Sequence, residues 1–139
     1  MTRRIFWIVF AIALIAGLFA GCTTSTVMNY SRLVDDLKKG GNTVQTDGEV
    51  NQPFFSVEGK LIKVNNEDVQ VFEYKDESSM QTEASQVSPT GSSVGTTILT
   101  WVSTPHFYKA GKLIVLYVGN NTTVTGALEK VLGAQFAGQ

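Results

Sequence analysis

Cysteine and histidine are almost absent from this chain, since its 139 residues include one of each. A single cysteine excludes a framework of disulfides within the chain, and a single histidine excludes most zinc sites. Charge is also sparse: 17% of the residues are charged, and the formal net charge of -1 lacks the basic surplus of nucleic-acid-binding domains. These absences predict one small globular domain with no metal, no cofactor and no nucleic-acid partner.

One long hydrophobic run is present, and it lies at the start of the chain. Two basic residues, Arg3 and Arg4, precede an uncharged stretch that ends at Cys22. This layout predicts a secretory signal peptide over residues 1–21, with its positive segment held on the cytoplasmic side. An uncleaved transmembrane helix is the alternative, because about 18 to 20 apolar residues can span a bilayer.

The end of this run carries the most specific motif of the chain. The residues Leu18-Phe19-Ala20-Gly21-Cys22 resemble the lipobox of bacterial prolipoproteins, in which small residues precede an obligatory cysteine. The resemblance implies cleavage between Gly21 and Cys22, and it implies a diacylglyceryl group, with acyl chains such as palmitate, on the Cys22 sulfur. Two or three acyl chains bind a bilayer almost permanently, at about 0.8 kcal/mol per buried methylene. We therefore expect an exported protein anchored to the outer face of the cell membrane, or to the outer membrane where the host has one.

The segment after Cys22 is polar and carries no charge as far as Ser31, which is typical of a tether. We therefore expect residues 22–30 to be the lipidated cysteine and its tether, and residues 31–139 to be a single extracytoplasmic α+β domain. The alternative is that the segment packs on the domain.

Hydrophobic periodicity and capping residues predict the elements of this domain. Ser31 is a candidate N-cap for a helix over residues 32–39, Asp76 for a second helix that Pro89 and Gly91 end, and Thr122 or Thr123 for a last helix. Residues 113–118 are apolar at every position, which is typical of a central strand covered on both faces. The β pattern extends over residues 44–50, 54–57, 60–64, 68–74, 96–103, 107–109 and 112–118.

The order of these elements predicts the fold class. Hairpin-length connections join the β segments, and Asn65-Asn66 is a typical two-residue hairpin turn. An antiparallel sheet of about five strands, with two to three helices packed on one face, is the simplest arrangement that buries the apolar stripes.

One stretch matches a catalytic motif. Residues 91–95 fit the G-x-S-x-G pattern and nominate Ser93 as a nucleophile. A nucleophile elbow needs a strand before the serine and a helix after it, whereas the predicted order here is the reverse. His106 is the one available base, and no acidic residue lies between it and Ser93. We therefore predict no catalytic residue, with an envelope hydrolase using Ser92 and Ser93 as an alternative.

A dense aromatic segment is the predicted binding surface. Trp101, His106, Phe107 and Tyr108 are of the types enriched at binding hot spots. The competing interpretation is that Trp101 and Phe107 belong to the core.

The body of the chain also resembles a family. Residues 67–74, 105–108 and 112–119 resemble segments of small uncharacterised bacterial lipoproteins, and this resemblance implies no activity and no functional residue. The sequence thus predicts a non-enzymatic, membrane-anchored binding or accessory module whose partner is an envelope protein or a small ligand. A structural envelope protein is the other alternative.

Overall fold

The structure is a computed structural model that describes residues 27–138. The predicted signal peptide, the Gly21–Cys22 cleavage site and the lipid attachment site at Cys22 lie outside these residues. Three helices are present, α1 (Tyr30–Lys39), α2 (Glu77–Ala84) and α3 (Thr122–Leu132). The strands are β1 (Val44–Val50), β2 (Gly59–Val64), β3 (Glu67–Glu73), β4 (Ser93–Val94), β5 (Thr97–Ile98), β6 (Pro105–Ala110), β7 (Leu113–Val118) and β8 (Ala137–Gly138).

Six of these strands form one antiparallel sheet in the order β1-β2-β3-β7-β6-β8, and β4 pairs with β5 in a separate hairpin. The predicted α+β class with an antiparallel sheet is confirmed, and the sheet has six strands. The turn between β2 and β3 is the predicted one. Asn65 and Asn66 both have positive φ, 51° and 70°, as a tight hairpin of this twist requires.

The sheet is covered on both faces, and β7 shows this most clearly. Its side chains alternate, so that Leu113, Val115 and Tyr117 enter one core while Ile114 and Leu116 enter a second. We call the side packed by α1 and α3 the first face, and the side packed by α2 and the long loops the second face. Two helices thus share one face as predicted, and the double covering of residues 113–118 is confirmed.

The helices begin at asparagine or aspartate caps. Asp76 caps α2 as predicted, accepting a hydrogen bond from the Ser79 amide at 2.7 Å. The N-cap of α1 is Asn29, whose side chain accepts from the Arg32 amide, and Ser31 lies inside the first turn. The N-cap of α3 is likewise Asn121, one residue before the predicted threonines. In both cases an asparagine one or two residues earlier takes the cap.

Two predicted strands are wrong. Residues 54–57 form turns and bends, with the Phe55 amide donating to the Gln52 carbonyl at 3.0 Å. Of residues 96–103, only Thr97 and Ile98 pair as a strand. Both segments lie across the second face, where Phe54, Phe55, Val57, Leu99 and Trp101 pack in or against the second core, and neither segment joins the six-stranded sheet.

The chain enters the domain beside the β6–β7 turn. The Lys112 amide donates to the Met28 carbonyl at 3.2 Å, and the Met28 side chain packs on the first core. The packed body therefore includes residues 27–30, and the described part of the predicted tether packs on the domain instead of standing free. Among residues 27–138, no helix has the length and hydrophobicity needed to cross a bilayer.

Candidate functional site

The predicted aromatic surface is divided by strand β6. Phe107 and Tyr108 are consecutive, so their side chains enter opposite faces of the sheet. Both are fully buried, at 0% exposure, Phe107 in the second core and Tyr108 in the first. The prediction that these two side chains contact a partner is wrong, because β6 lies inside the sheet and is covered on both faces.

His106 has a structural environment on the first face. Its ring stacks on Tyr117 with centroids 5.8 Å apart. Nε2 lies 3.0 Å from the Gly119 carbonyl oxygen, within hydrogen-bonding distance. Nδ1 lies 2.7 Å from the side-chain amide of Gln135. The imidazole thus joins the end of β7 to the segment that follows α3, and its ring nitrogens are both engaged.

Trp101 supports the loops of the second face. Its indole N–H donates to the Gly91 carbonyl at 2.7 Å. Its ring meets Phe54 and Phe107 edge-on, with centroids 6.2 and 5.9 Å away. Trp101 is half-buried and lies on the opposite side of the sheet from His106, so the two do not form one surface.

The serine loop does not assemble with His106. Ser93 begins β4 and follows α2, so the local order is helix then strand, as predicted. The hydroxyls contact one another: Thr90 Oγ1 lies 2.8 Å from Ser92 Oγ, and the Ser93 amide donates to Ser88 Oγ. The loop lies on the second face, where Gly91 is in contact with the Phe107 ring, whereas the imidazole lies on the first. The sheet therefore separates the nominated serines from the chain's one histidine.

Metal and ligand sites in the described part of the chain would show as grouped side chains or as surface grooves. No three His, Cys, Asp or Glu side chains of residues 27–138 are grouped so that they could hold a metal ion. A shallow groove of about 450 Å³ lies beside Tyr30, Thr46, Gly48, Glu49 and Lys60. The Lys60 ammonium stands 4.1 Å from the centre of the Tyr30 ring and is opposite Glu49 on the neighbouring strand. The groove's two charged residues, Glu49 and Lys60, are thus neighbours across the β1–β2 ladder.

A different surface is exposed and apolar. Ile98 is 85% exposed and Val102 is 101% exposed, as open as in an isolated extended peptide. Both belong to residues 95–104, which we call the apolar loop. The predicted surface, from Trp101 to Tyr108, includes Val102 but not Ile98, and neither was named because the prediction weighted aromatic side chains. The available signal was charge, since no Asp, Glu, Lys or Arg occurs between Glu83 and Lys109.

The buried Tyr108 hydroxyl gives a test of the first core. It has no hydrogen-bond partner in the described part of the chain. Burial, followed by the Glu129 carboxylate, raises the pKa of Tyr108 to about 12. We expect Tyr108→Phe to leave the free energy of unfolding unchanged or raise it by about 1 kcal/mol, because the variant removes an unpaired polar group.

The same substitution should change how the free energy of unfolding depends on pH in the alkaline range. The unfolded tyrosine loses its proton near pH 10 and the folded one near pH 12, so the parent protein loses stability as pH rises through this range. The Tyr108→Phe variant should lose less of its free energy of unfolding over the same pH range. Urea unfolding at neutral and alkaline pH measures both effects, and a destabilised variant at neutral pH would show that the hydroxyl has a partner.

Comparison with known proteins assigns no family or function to the chain. No family model matches the chain, and no curated protein or solved structure matches it significantly.

Proposed function

We propose that the chain is a non-enzymatic binding or accessory module, held by a lipid on Cys22 at the outer face of the cell membrane, and that it makes its contact through the apolar loop. The full exposure of Val102 and Ile98 within a charge-free segment carries the proposal for the contact. Ile98 and Val102 lie four positions apart in one charge-free loop, and exposed apolar surface of this kind is a feature of interaction sites. The lipobox-like residues 18–22 support the anchor.

The loop is positioned before any partner arrives. Trp101 holds its C-terminal half against Gly91, and the Leu99 amide donates to the Ser92 carbonyl at 2.9 Å. Ser103 and Thr104 are both bonded to the side chain of Asn120. A loop ordered in this way loses little conformational entropy on binding, which favours a contact surface of small area.

A photo-reactive amino acid at position 102 tests this contact in the full-length protein in its host. We expect a cross-linked product, to protein or to lipid, from position 102. The matched control is position 130, an exposed lysine of α3 on the first face, which should give none. The absence of a product from both positions would contradict the proposal.

The anchor is tested separately by membrane fractionation. The full-length protein should sediment with membranes, and Cys22→Ser should release the processed domain, because the acyl chains account for the attachment. A Cys22→Ser protein that remains equally membrane-bound would contradict the anchor.

A further inference from the structure

The shape of the apolar loop limits what can cover it. A valine as exposed as Val102 is shielded by nothing on its own protein, so it projects from the surface and does not line a groove. Ile98 projects in the same way at the end of the β4–β5 hairpin. Two projecting aliphatic side chains fit a binding surface that can deform around them. The boundary between lipid headgroups and acyl chains accepts such side chains to a depth of about 5 to 10 Å.

Several polar groups at the C-terminal end of the loop are already paired, which lowers the cost of removing water from them. The Trp101 indole N–H is bonded to Gly91, and the Thr104 hydroxyl donates to Asn120 at 2.7 Å. The Thr104 carbonyl accepts from the Gly119 amide at 2.9 Å. Groups with internal partners can leave water without becoming unsatisfied. Dehydration at a lipid surface therefore costs less for these paired groups than for unpaired ones.

Charge favours a neutral occupant. The loop carries none, whereas loss of Arg3 and Arg4 with the predicted signal peptide leaves nine basic against twelve acidic side chains. The excess of acidic side chains means that an anionic surface weakly repels the domain as a whole. The loop has no charge, so surface charge neither attracts nor repels it. This pattern matches contact with a zwitterionic bilayer and does not match contact with a strongly charged protein.

The chain's path allows the loop to reach the bilayer that holds the anchor. Five peptide units separate Cys22 from Val27, a reach of at most about 17 Å. Val27 lies beside Gly111, where β6 ends, and the apolar loop leads into Pro105, where β6 begins. The six residues of β6 span a similar length of about 17 to 20 Å. A tether of this length therefore allows both ends of β6, and with them the apolar loop, to lie near the same membrane surface.

We infer that the apolar loop docks on the lipid bilayer that carries the anchor, with Ile98 and Val102 entering the boundary between headgroups and acyl chains. This inference rests on the proposed lipid anchor. Two aliphatic side chains bind a bilayer too weakly to recruit a free protein, but the anchor already holds the domain at the surface and supplies a high effective concentration. The second contact fixes the orientation of the domain.

Spin labelling of the full-length, lipidated protein on phosphatidylcholine vesicles tests the inference. A nitroxide is attached to Val102→Cys, with Lys130→Cys as the matched control, since a lipidated Cys22 sulfur takes up no label. We expect the label at 102 to be several-fold more accessible to oxygen than to a water-soluble nickel complex, relative to the label at 130. This difference in accessibility between positions 102 and 130 should be the same at low and high ionic strength, because the loop is uncharged. It should be smaller on anionic vesicles, because they repel the acidic domain.

The outcomes separate this inference from the proposed anchor. A protein that does not float with the vesicles shows that the anchor has failed. A protein that floats while the label at 102 is open to the nickel complex overturns the lipid contact and leaves the anchor intact. A label at 102 shielded from both reagents overturns it in favour of a protein partner or a second copy.

A pair of surface variants gives a second measurement that does not depend on labelling. In the processed full-length protein Trp101 is the one tryptophan, and brominated lipids should quench its emission when the loop is docked. Ile98→Ser with Val102→Ser should abolish the quenching, whereas Thr97→Ser with Thr100→Ser, at exposed neighbouring positions, should keep it. Equal quenching in both double variants would overturn the inference.

Discussion

Phe107→Ala should lower the free energy of unfolding by about 3 to 5 kcal/mol, the range for removing a large aromatic side chain from a packed core. The Phe107 ring is fully buried. It contacts the rings of Trp101 and Phe136, with centroids 5.9 and 6.2 Å away, and lies against Gly91. The cavity would open beneath the loops of the second face, because Trp101 and Gly91 both contact the Phe107 ring. Since domains are ordinarily stable by about 5 to 15 kcal/mol, this loss is a large fraction of the total free energy of unfolding.

Chemical denaturation followed by circular dichroism measures this loss. Val102→Ala is the matched control, because its side chain is fully exposed and its removal should change stability by less than about 0.5 kcal/mol. If Phe107→Ala unfolds at the same denaturant concentration as the control, the second core is not packed as described.

Gly111→Ala should cost about 2 to 4 kcal/mol through two effects that act together. Gly111 has a φ of 55°, in the left-handed region that a residue with a Cβ adopts only with strain. A Cβ at this position would also lie 2.5 Å from the Met28 carbonyl oxygen and 2.6 Å from its nitrogen. Because these are backbone atoms, they cannot turn aside as a side chain would. The substitution should therefore displace residues 27–28 from the β6–β7 turn.

Gly126→Ala is a control of opposite sign. Gly126 lies inside α3 with no atom within 4 Å of the added Cβ, so alanine should stabilise the protein by about 0.5 to 1 kcal/mol. Hydrogen exchange locates the Gly111→Ala effect, since the amide of Lys112, in the β6–β7 turn, should lose its protection before the amides of β7. Protection of that amide equal to that in the parent protein would contradict the proposed displacement.

Much of the sheet could be predicted because the information is local. The run from Leu113 to Val118 is apolar at every position, and a strand buried on both faces requires this. The Asn65-Asn66 turn is equally local, since asparagine tolerates the positive φ that the hairpin needs. The caps were less predictable, because several adjacent residues can all accept the same amide hydrogen.

The covering of the second face could not be predicted from pattern. Residues 54–57 and 96–103 have the composition of strands, but a strand also needs a free neighbouring edge, and edges depend on the whole topology. β8 shows the converse, because its two residues have no β pattern and pair with His106 and Phe107 through the backbone. The prediction of the candidate site was wrong for a related reason. Aromatic side chains are common in cores and at interfaces, and burial of the strand decides between the two.

The fastening of the N-terminal segment also decides how the domain bears tension. A pull that reaches it through residue 27 acts first on the hydrogen bond between Lys112 and Met28, and then on α1. Leu33 and Leu37 must leave the first core before the load passes further along the chain. The elements of the second face, including the apolar loop, lie behind this point. Stretching the tether therefore strains α1 before it deforms the surface that carries Ile98 and Val102.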